Sequence, residues 1–310
     1  MTLWKRILPT LALGACLAAT MVRPADALMG IDDRLPSFLV SVGEGTGYAW
    51  AAYEAANAKE LDQLFYRDRS PAQKLYLARQ NSGRWVPVAA LAYFQQHWRP
   101  AFEAVAGRLE PLTGTSGLKV AMWYCMDSRP WVYVHVNGQP TLAMNARLLL
   151  PYDDVRTRLK FAEAFFQAFA TMAPDETAEA HTFSRHVQIE GLRLALMQRA
   201  VPGLPLYRYL NVSPATFAAW QRSQRAIARG MLAALDGPES GTQMERFFGR
   251  GYGDPWPGGA GRFVSFMIAA GAAHERNPVE LGQMPSRDYL FLVRPLLEEM
   301  ARVDEGLTPY

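Results

Sequence analysis

The sequence predicts an α+β protein that is mostly helical, with one small antiparallel meander in the middle of the chain. Apolar residues recur at helical spacing both before and after residues 118–146. Between those limits, segments rich in Val, Trp and Tyr alternate with turn signals, which is typical of short strands. The 310 residues are 50% hydrophobic and 20% charged, which is the composition of a folded globular chain.

The first residues have the pattern of a secretory signal peptide. Lys5 and Arg6 precede an apolar run over residues 7–22, and Ala25-Asp26-Ala27 places small residues around a cleavage site. Cleavage after Ala27 removes residues 1–27 and starts the mature chain at Leu28. The leader therefore predicts a periplasmic or secreted protein.

Two other interpretations of this leader stay open. The run Leu13-Gly14-Ala15-Cys16 fits a lipobox, in which Cys16 is lipidated and anchors the protein to a membrane. The residues after Cys16 stay apolar instead of opening into a polar tether, which favours soluble export. An uncleaved anchor is the third interpretation, but the apolar run is shorter than the ~20 residues of a usual span. Membrane attachment is expected only if Cys16 is lipidated.

Charge and cysteine content exclude several function classes. The formal net charge is +3, and it falls to about +1 without the leader, because Lys5, Arg6 and Arg23 outnumber Asp26 there. This balance excludes an electrostatic footprint for nucleic acid. Cys125 is the only cysteine of the mature chain and lies in an apolar run, so a disulfide scaffold and a zinc finger are excluded. We expect it to be a buried, small apolar side chain.

Residues 28–112 are predicted to form a helical region. Ser70 is a typical N-cap, and Pro71 occupies the first helical position after it. The helices predicted here cover residues 48–65, 71–79 and 87–109.

Residues 113–310 begin with the meander and then return to helical spacing. Asn137-Gly138 is a hairpin signal, and Asp154 and Ser213 are candidate N-caps. We expect this region to form one compact unit with the preceding one. The predicted strands cover residues 119–126, 131–136 and 141–145, and the predicted helices cover residues 155–172, 185–199, 214–235, 262–272 and 286–303.

Three residues form a candidate metal site. His186 and Glu190 are four apart and share a helix face, where both side chains could contact a metal ion. His181 is five residues before His186, roughly 140° away around a continuous helix, so the three side chains converge only if the helix is broken. Arg185 or Arg193 could instead pair with Glu190.

The order of elements resembles the exported gluzincin-like zinc peptidases over about residues 115–300. In that family one helix carries His-Glu-x-x-His, and a later helix supplies the third zinc ligand as a Glu followed by Gly-Leu-Ala. The run Glu190-Gly191-Leu192 matches the later helix, and Val201-Pro202-Gly203 follows it. The first helix reads Phe161-Ala162-Glu163-Ala164-Phe165-Phe166. There, Glu163 matches the general base, while Ala and Phe replace both histidines.

The resemblance implies a degenerate family member without zinc, because zinc hydrolysis needs three protein ligands and an open position for water. Ala162 has no donor atom, and Phe166 brings only an apolar ring. We therefore expect an inactive, peptidase-like, exported protein that uses no cofactor and binds or assists a periplasmic protein or peptide. Glu163 is then a vestige of the general base. The expected binding residues are Glu163, Phe165, Phe166, Glu190 and Tyr252.

An active metallohydrolase is the alternative function. Its zinc ligands would have moved to His181, His186 and Glu190, and zinc would then be its cofactor. Relocated ligands must also satisfy tetrahedral geometry and find hydrogen-bond partners of their own, which favours the inactive interpretation.

Overall fold

The computed structural model describes residues 30–43, 49–81, 87–113, 117–150, 153–172, 182–236, 241–249 and 256–302. They divide into two compact units, with the division between residues 171 and 172. The boundary expected between residues 112 and 113 lies inside the first unit. The chain is a mostly helical α+β protein with one small sheet, so the predicted fold class is confirmed. Among the described residues, no helix has both the length and the apolar character to cross a membrane.

The first unit contains the sheet and the helices before residue 172. Its elements in chain order are β1 (Ile31–Asp33), α1 (Leu35–Gly43), α2 (Ala49–Ala56), α3 (Ala58–Leu64), α4 (Pro71–Asn81), α5 (Val88–Thr113), β2 (Lys119–Trp123), β3 (Trp131–Val136), β4 (Gln139–Asn145), α6 (Ala146–Leu149) and α7 (Asp154–Met172).

The sheet is mixed, with the strand order β1-β2-β4-β3. β3 and β4 are antiparallel, whereas β2 runs parallel to β4 on one side and to β1 on the other. The predicted antiparallel meander is therefore wrong in its pairing, although its three strands lie close to the positions that the sequence indicated. The cause is the segment 124–130, which passes over the end of β4 instead of turning back along β2. There the side chain of Asn145 donates to the carbonyl oxygens of Cys125 and Asp127, both at 3.1 Å.

Buried charged groups hold the segment 124–130 in place. The Asp127 side chain is fully buried and accepts hydrogen bonds from Arg129 Nε at 2.9 Å and from Arg69 Nε at 3.3 Å. Arg147 donates to the carbonyl oxygens of Cys125 at 3.0 Å and of Asp127 at 2.9 Å. Cys125 is buried and free, as predicted, and burial raises the pKa of its thiol.

A two-residue turn fixes the β3–β4 hairpin. Asn137 and Gly138 have φ of 51° and 81°, and Val136 pairs with Gln139 across the turn. Two successive positive φ angles characterise the type I′ turn, whose twist matches that of the flanking strands. The Asn-Gly signal in the sequence therefore predicts this hairpin correctly.

Helices pack on the sheet through aromatic side chains. In α1, Phe38 stacks on Tyr124 with ring centroids 4.1 Å apart. In α5, Trp98 Nε1 donates to Asp33 Oδ2 at 3.2 Å, which links the long helix to β1. Phe102 of α5 contacts Phe161 of α7 edge to face at 5.5 Å, so this contact joins α7 to the same core.

The second unit is helical throughout its described residues. Its central pair is α8 and α13, which pack closely because Gly191 lies against the backbone of Ser265. A Cβ at Gly191 would lie 2.8 Å from the carbonyl carbon of Ser265, so only glycine allows this approach. The elements are α8 (Phe183–Ala200), α9 (Leu206–Tyr209), α10 (Pro214–Arg222), α11 (Gln224–Asp236), α12 (Gly241–Phe248), α13 (Ala260–Glu275), α14 (Pro278–Gln283) and α15 (Ser286–Arg302).

Capping residues locate most helix starts, with two corrections. Ser213 caps α10 by accepting a hydrogen bond from the Thr216 N–H, as predicted. The single helix expected over residues 214–235 is broken at Ser223 into α10 and α11. Asp153, and not Asp154, supplies the side-chain oxygen that accepts from the N–H of Arg156 at the start of α7.

Candidate binding site along strand β3

The outer edge of β3 is the end of the sheet. The residues that flank a two-residue turn, here Val136 and Gln139, form a hydrogen-bonded pair. Hydrogen-bonded and non-hydrogen-bonded pairs alternate along antiparallel strands, so the backbone groups of the even-numbered residues of β3 bond to β4. The N–H of Asn145 donates to the carbonyl of Pro130 at 2.8 Å, which continues the same alternation. The backbone N–H and C=O groups of Trp131, Tyr133 and His135 therefore point away from β4. No strand among the described residues pairs with that edge.

The same three residues place their side chains on one face of the sheet. Tyr133 and His135 contact each other edge to face, with ring centroids 5.5 Å apart. His135 is exposed, and Trp131 and Tyr133 are half-buried. α3 also contacts β3, and the backbone groups of these three residues face away from β4 without a strand partner among the described residues. Aromatic rings beside such groups combine apolar contact area with hydrogen-bonding capacity.

Polar side chains of α7 surround Trp131 at the start of β3. Lys160 Nζ forms an ion pair with Glu163 Oε2 at 2.7 Å and lies 5.5 Å from the centroid of the Trp131 ring. Trp131 Nε1 donates to Gln167 Oε1 at 2.5 Å. We call Trp131, Lys160, Glu163 and Gln167 the edge cluster. The side chains of Lys160 and Glu163 are 30% and 22% exposed, so a bound molecule can reach them.

A cavity of about 550 Å³ lies at the other end of β3, between that strand and residues of α3, α4 and the turn that joins them. We call it the edge cavity. Three cations line it, and each has an acidic partner: Arg67 is 3.5 Å from Asp68, Arg69 is 3.3 Å from Asp127, and Lys74 is 2.5 Å from Asp62. The edge cavity is therefore polar and nearly balanced in charge.

Tyr66 forms part of the wall of the edge cavity and links it to the segment before β3. Its hydroxyl donates to Glu54 Oε1 at 2.5 Å and accepts from the N–H of Met126 at 3.1 Å. Burial raises the pKa of both Tyr66 and Glu54. The tyrosine hydroxyl consequently stays protonated and keeps its role as a hydrogen-bond donor.

The first helix of the expected zinc site does not fit a metal ion. Ala162 is fully buried and Phe166 is 3% exposed, so the two positions at which histidines would be needed lie in the apolar core. Phe165 is also fully buried in that core. Of the predicted binding residues on α7, Glu163 is the one with side-chain surface open to solvent.

Glu190 lies on α8 in the second unit, in an ion-pair cluster. Its Oε2 atom is 2.7 Å from Arg193 NH2 and 3.8 Å from Arg262 Nε. Burial alone would raise the pKa of Glu190, but the charges of Arg193 and Arg262 outweigh burial and the pKa is lowered. Of the two arginines expected as partners, Arg193 pairs with Glu190. Arg185 instead donates to Gln188 and to a backbone carbonyl.

His186 is close to this cluster and packs against an aromatic ring. Its ring centroid is 4.3 Å from that of Phe248, edge to face. Burial lowers the pKa of His186, the carboxylate of Glu190 opposes that shift, and Arg262 and Arg193 add to it. A carboxylate already paired with two guanidinium groups is a poor ligand for a further cation, so Glu190 and His186 do not fit a zinc site as they stand.

Two of the predicted site residues, His181 and Tyr252, lie outside the described residues. Within the described ranges, no group of three or more His, Cys, Asp and Glu side chains is positioned to hold a metal ion.

No family model, no curated protein and no solved structure matches the chain. Its function must therefore be inferred from the geometry of its own sites.

Sequence reasoning identified Glu163 but missed the other members of the edge cluster. Lys160 and Gln167 lie three residues before and four residues after Glu163, so helical spacing would have placed them on its face. Trp131 is separated by 36 residues from Gln167, and Arg262 by more than 70 from Glu190. No local signal links such distant residues.

Proposed function

We propose that this chain is an exported, peptidase-like protein without catalytic activity, which binds an extended peptide segment of an envelope partner by adding it as a strand to the outer edge of β3. The observation that carries the proposal is that edge, where the N–H and C=O groups of Trp131, Tyr133 and His135 point away from the sheet. Added strands gain affinity from backbone hydrogen bonds, and pockets for alternate side chains give specificity.

Both ends of β3 offer side-chain contacts for such a peptide. At its start, the edge cluster supplies an indole ring with an ammonium and a carboxylate beside it. At its end, the edge cavity of about 550 Å³ can hold one or two polar side chains of the peptide. A six-residue strand extends for about 20 Å, so one peptide of similar length reaches from the edge cluster to the edge cavity.

Binding without hydrolysis is consistent with the side chains on α7. Ala162 and Phe166 bring no zinc ligand, and Glu163 forms an ion pair with Lys160 instead of polarising a metal-bound water. The kinship with gluzincin-like peptidases remains part of the proposal, and it is supported by the order of elements and by the run Glu190-Gly191-Leu192.

The proposal is tested with peptides selected from a random heptapeptide display library on the mature protein, residues 28–310. A selected peptide is then synthesised with N-methyl groups on alternate residues, in both registers. Strand addition uses every second N–H of the peptide, so one register should abolish binding and the other should leave it nearly intact. Equal loss in both registers, or no selected peptide at all, would refute strand addition.

Two variants of Tyr133 provide a matched pair for the same assay. Tyr133→Pro removes an outward N–H without removing a hydrogen bond to β4, because proline is tolerated where its nitrogen faces away from the sheet. Tyr133→Ala keeps that N–H and removes the ring. Both variants lack the ring, so the difference between them measures the backbone bond alone, and we expect the proline variant to bind at least about tenfold more weakly than the alanine variant. Equal affinities of the two variants would show that the ring, and not the backbone edge, determines binding.

A further inference from the structure

A second cavity, of about 460 Å³, lies on one face of the sheet in the first unit, and we call it the sheet-face cavity. All four strands contribute to its floor, and α3 forms one wall. Lys119 and Trp123 of β2 are on the same face, since they are four residues apart in one strand. Thr141 of β4 pairs with Lys119 and extends the floor toward the hairpin. The volume is within the range of small-molecule sites.

The charged groups at the floor leave one positive charge in excess. Asp32 lies between two cations, with one oxygen 2.7 Å from Arg34 Nε and the other 3.4 Å from Lys119 Nζ. The wall residues Lys59 and Glu60 are exposed and of opposite sign, so they cancel. The single carboxylate of Asp32 therefore faces two cationic groups, and an anion that enters the cavity neutralises the remaining positive charge.

Trp123 lies beneath the positive group of Arg34. The guanidinium carbon is 5.3 Å from the centroid of the indole ring, and the tryptophan is only 1% exposed. Its indole N–H has no hydrogen-bond acceptor among the described residues. Buried donors are normally satisfied. This N–H is closed to solvent, so a neighbouring group must move before an acceptor reaches it, and the Trp123 indole therefore reports changes at the cavity wall.

We propose that the sheet-face cavity binds a small organic carboxylate, whose oxygens contact Arg34 and Lys119 beside the Trp123 ring. Carboxylates match the planar guanidinium group of arginine and form charge-assisted hydrogen bonds with it. The polar side chains at the floor, with Thr141 among them, suit a ligand that is polar beyond its carboxylate. The sheet-face cavity adjoins the edge cavity and shares Gln63, Val136 and Asn137 with it, but Arg34 and Lys119 line the sheet-face cavity and not the edge cavity. Carboxylate binding between these two cations does not use the backbone edge of β3.

The test uses the mature protein labelled with ¹⁵N-tryptophan and titrated with acetate at constant ionic strength. The Trp123 indole signal is assigned by its loss in Trp123→Phe. Acetate should shift that signal saturably, and acetamide, the neutral analogue, should not. Trp220 serves as an internal control, because its indole N–H already donates to the carbonyl of Pro257 at 2.9 Å. No saturable shift, or an equal shift with chloride or acetamide, would overturn the proposal.

Lys119→Gln and Lys74→Gln form a matched pair for the same titration. Both remove one lysine charge, but Lys119 lines the sheet-face cavity and Lys74 lines the edge cavity. Lys119→Gln should weaken acetate binding about tenfold, and Lys74→Gln should leave it unchanged. Equal effects of the two variants would overturn the assignment of the site. If Lys119→Gln fails to fold, the wild-type titration with acetate, acetamide and chloride still decides the proposal.

Discussion

Replacing Asp127 with alanine should destabilise the first unit by about 2–3 kcal/mol. Removing one partner of a buried ion pair costs about 3–5 kcal/mol, because the other partner stays buried without compensation. Here Asp127 is fully buried, but Arg69 and Arg129 keep 28% and 32% of their side-chain surface exposed. Both guanidinium groups can turn toward water after the substitution, so we expect the loss to stay below the range for fully buried pairs.

Urea unfolding followed by circular dichroism measures this loss in the mature protein. Asp236→Ala is the matched control, since Asp236 bonds to Arg294 at 2.8 and 2.9 Å on the exposed surface. Solvent screens such a pair, so the control should unfold like the wild type. Asp127→Asn keeps the shape without the charge and should fall between the two. If Asp127→Ala unfolds at the same urea concentration as Asp236→Ala, burial does not determine the strength of this pair.

Four further outcomes are expected. Gly191→Ala should lower the free energy of unfolding by about 1–3 kcal/mol in a denaturant titration, because its methyl group would overlap a neighbouring helix backbone. The pKa of His186 in the folded protein lies below its ordinary value of 6.5, so on acidification the unfolded chain binds a proton at this histidine before the folded chain does. The free energy of unfolding should therefore decrease as the pH falls below 6.5, and His186→Gln should make this decrease smaller. Metal analysis of protein purified without chelator should find no stoichiometric zinc, because Ala162 and Phe166 supply no ligand atoms. Intact mass should place the mature N-terminus at Leu28, and a mass starting at a diacylated Cys16 would contradict soluble export.

The sequence predicts well what is decided by neighbours in the chain. N-caps such as Ser213 and the turn at Asn137-Gly138 act over two to four residues, so they locate helix starts and the β3–β4 hairpin correctly. The pairing of β2 with β4 depends instead on a buried network around Asn145, which closes only when distant segments meet. The spacing of apolar residues contains no information about that network, so the sequence alone does not predict the strand order.

The same distinction between local and long-range interactions applies to the candidate site. Glu163 could be singled out from a local run of residues, and its ion pair with Lys160 follows from a spacing of three along a helix. The approach of Trp131 to that helix, and of Arg262 to Glu190, depends on how separate elements pack. Sequence patterns therefore propose individual residues, whereas packing determines which of them act together.

The outer edge of β3 also has a consequence for self-association. Open strand edges can pair with the same edge of another copy, and many proteins prevent this with a lysine or proline in the strand itself. β3 has neither, since its sequence is WVYVHV. Cations stand beside the strand instead, with Lys160 at its start and Lys74 near its end. Each of these lysines is paired with a carboxylate, Lys160 with Glu163 and Lys74 with Asp62, so the flanking charges set no net repulsion between two copies. A second copy of the chain therefore competes with a partner peptide for the same edge, and partner binding should weaken as the protein concentration rises.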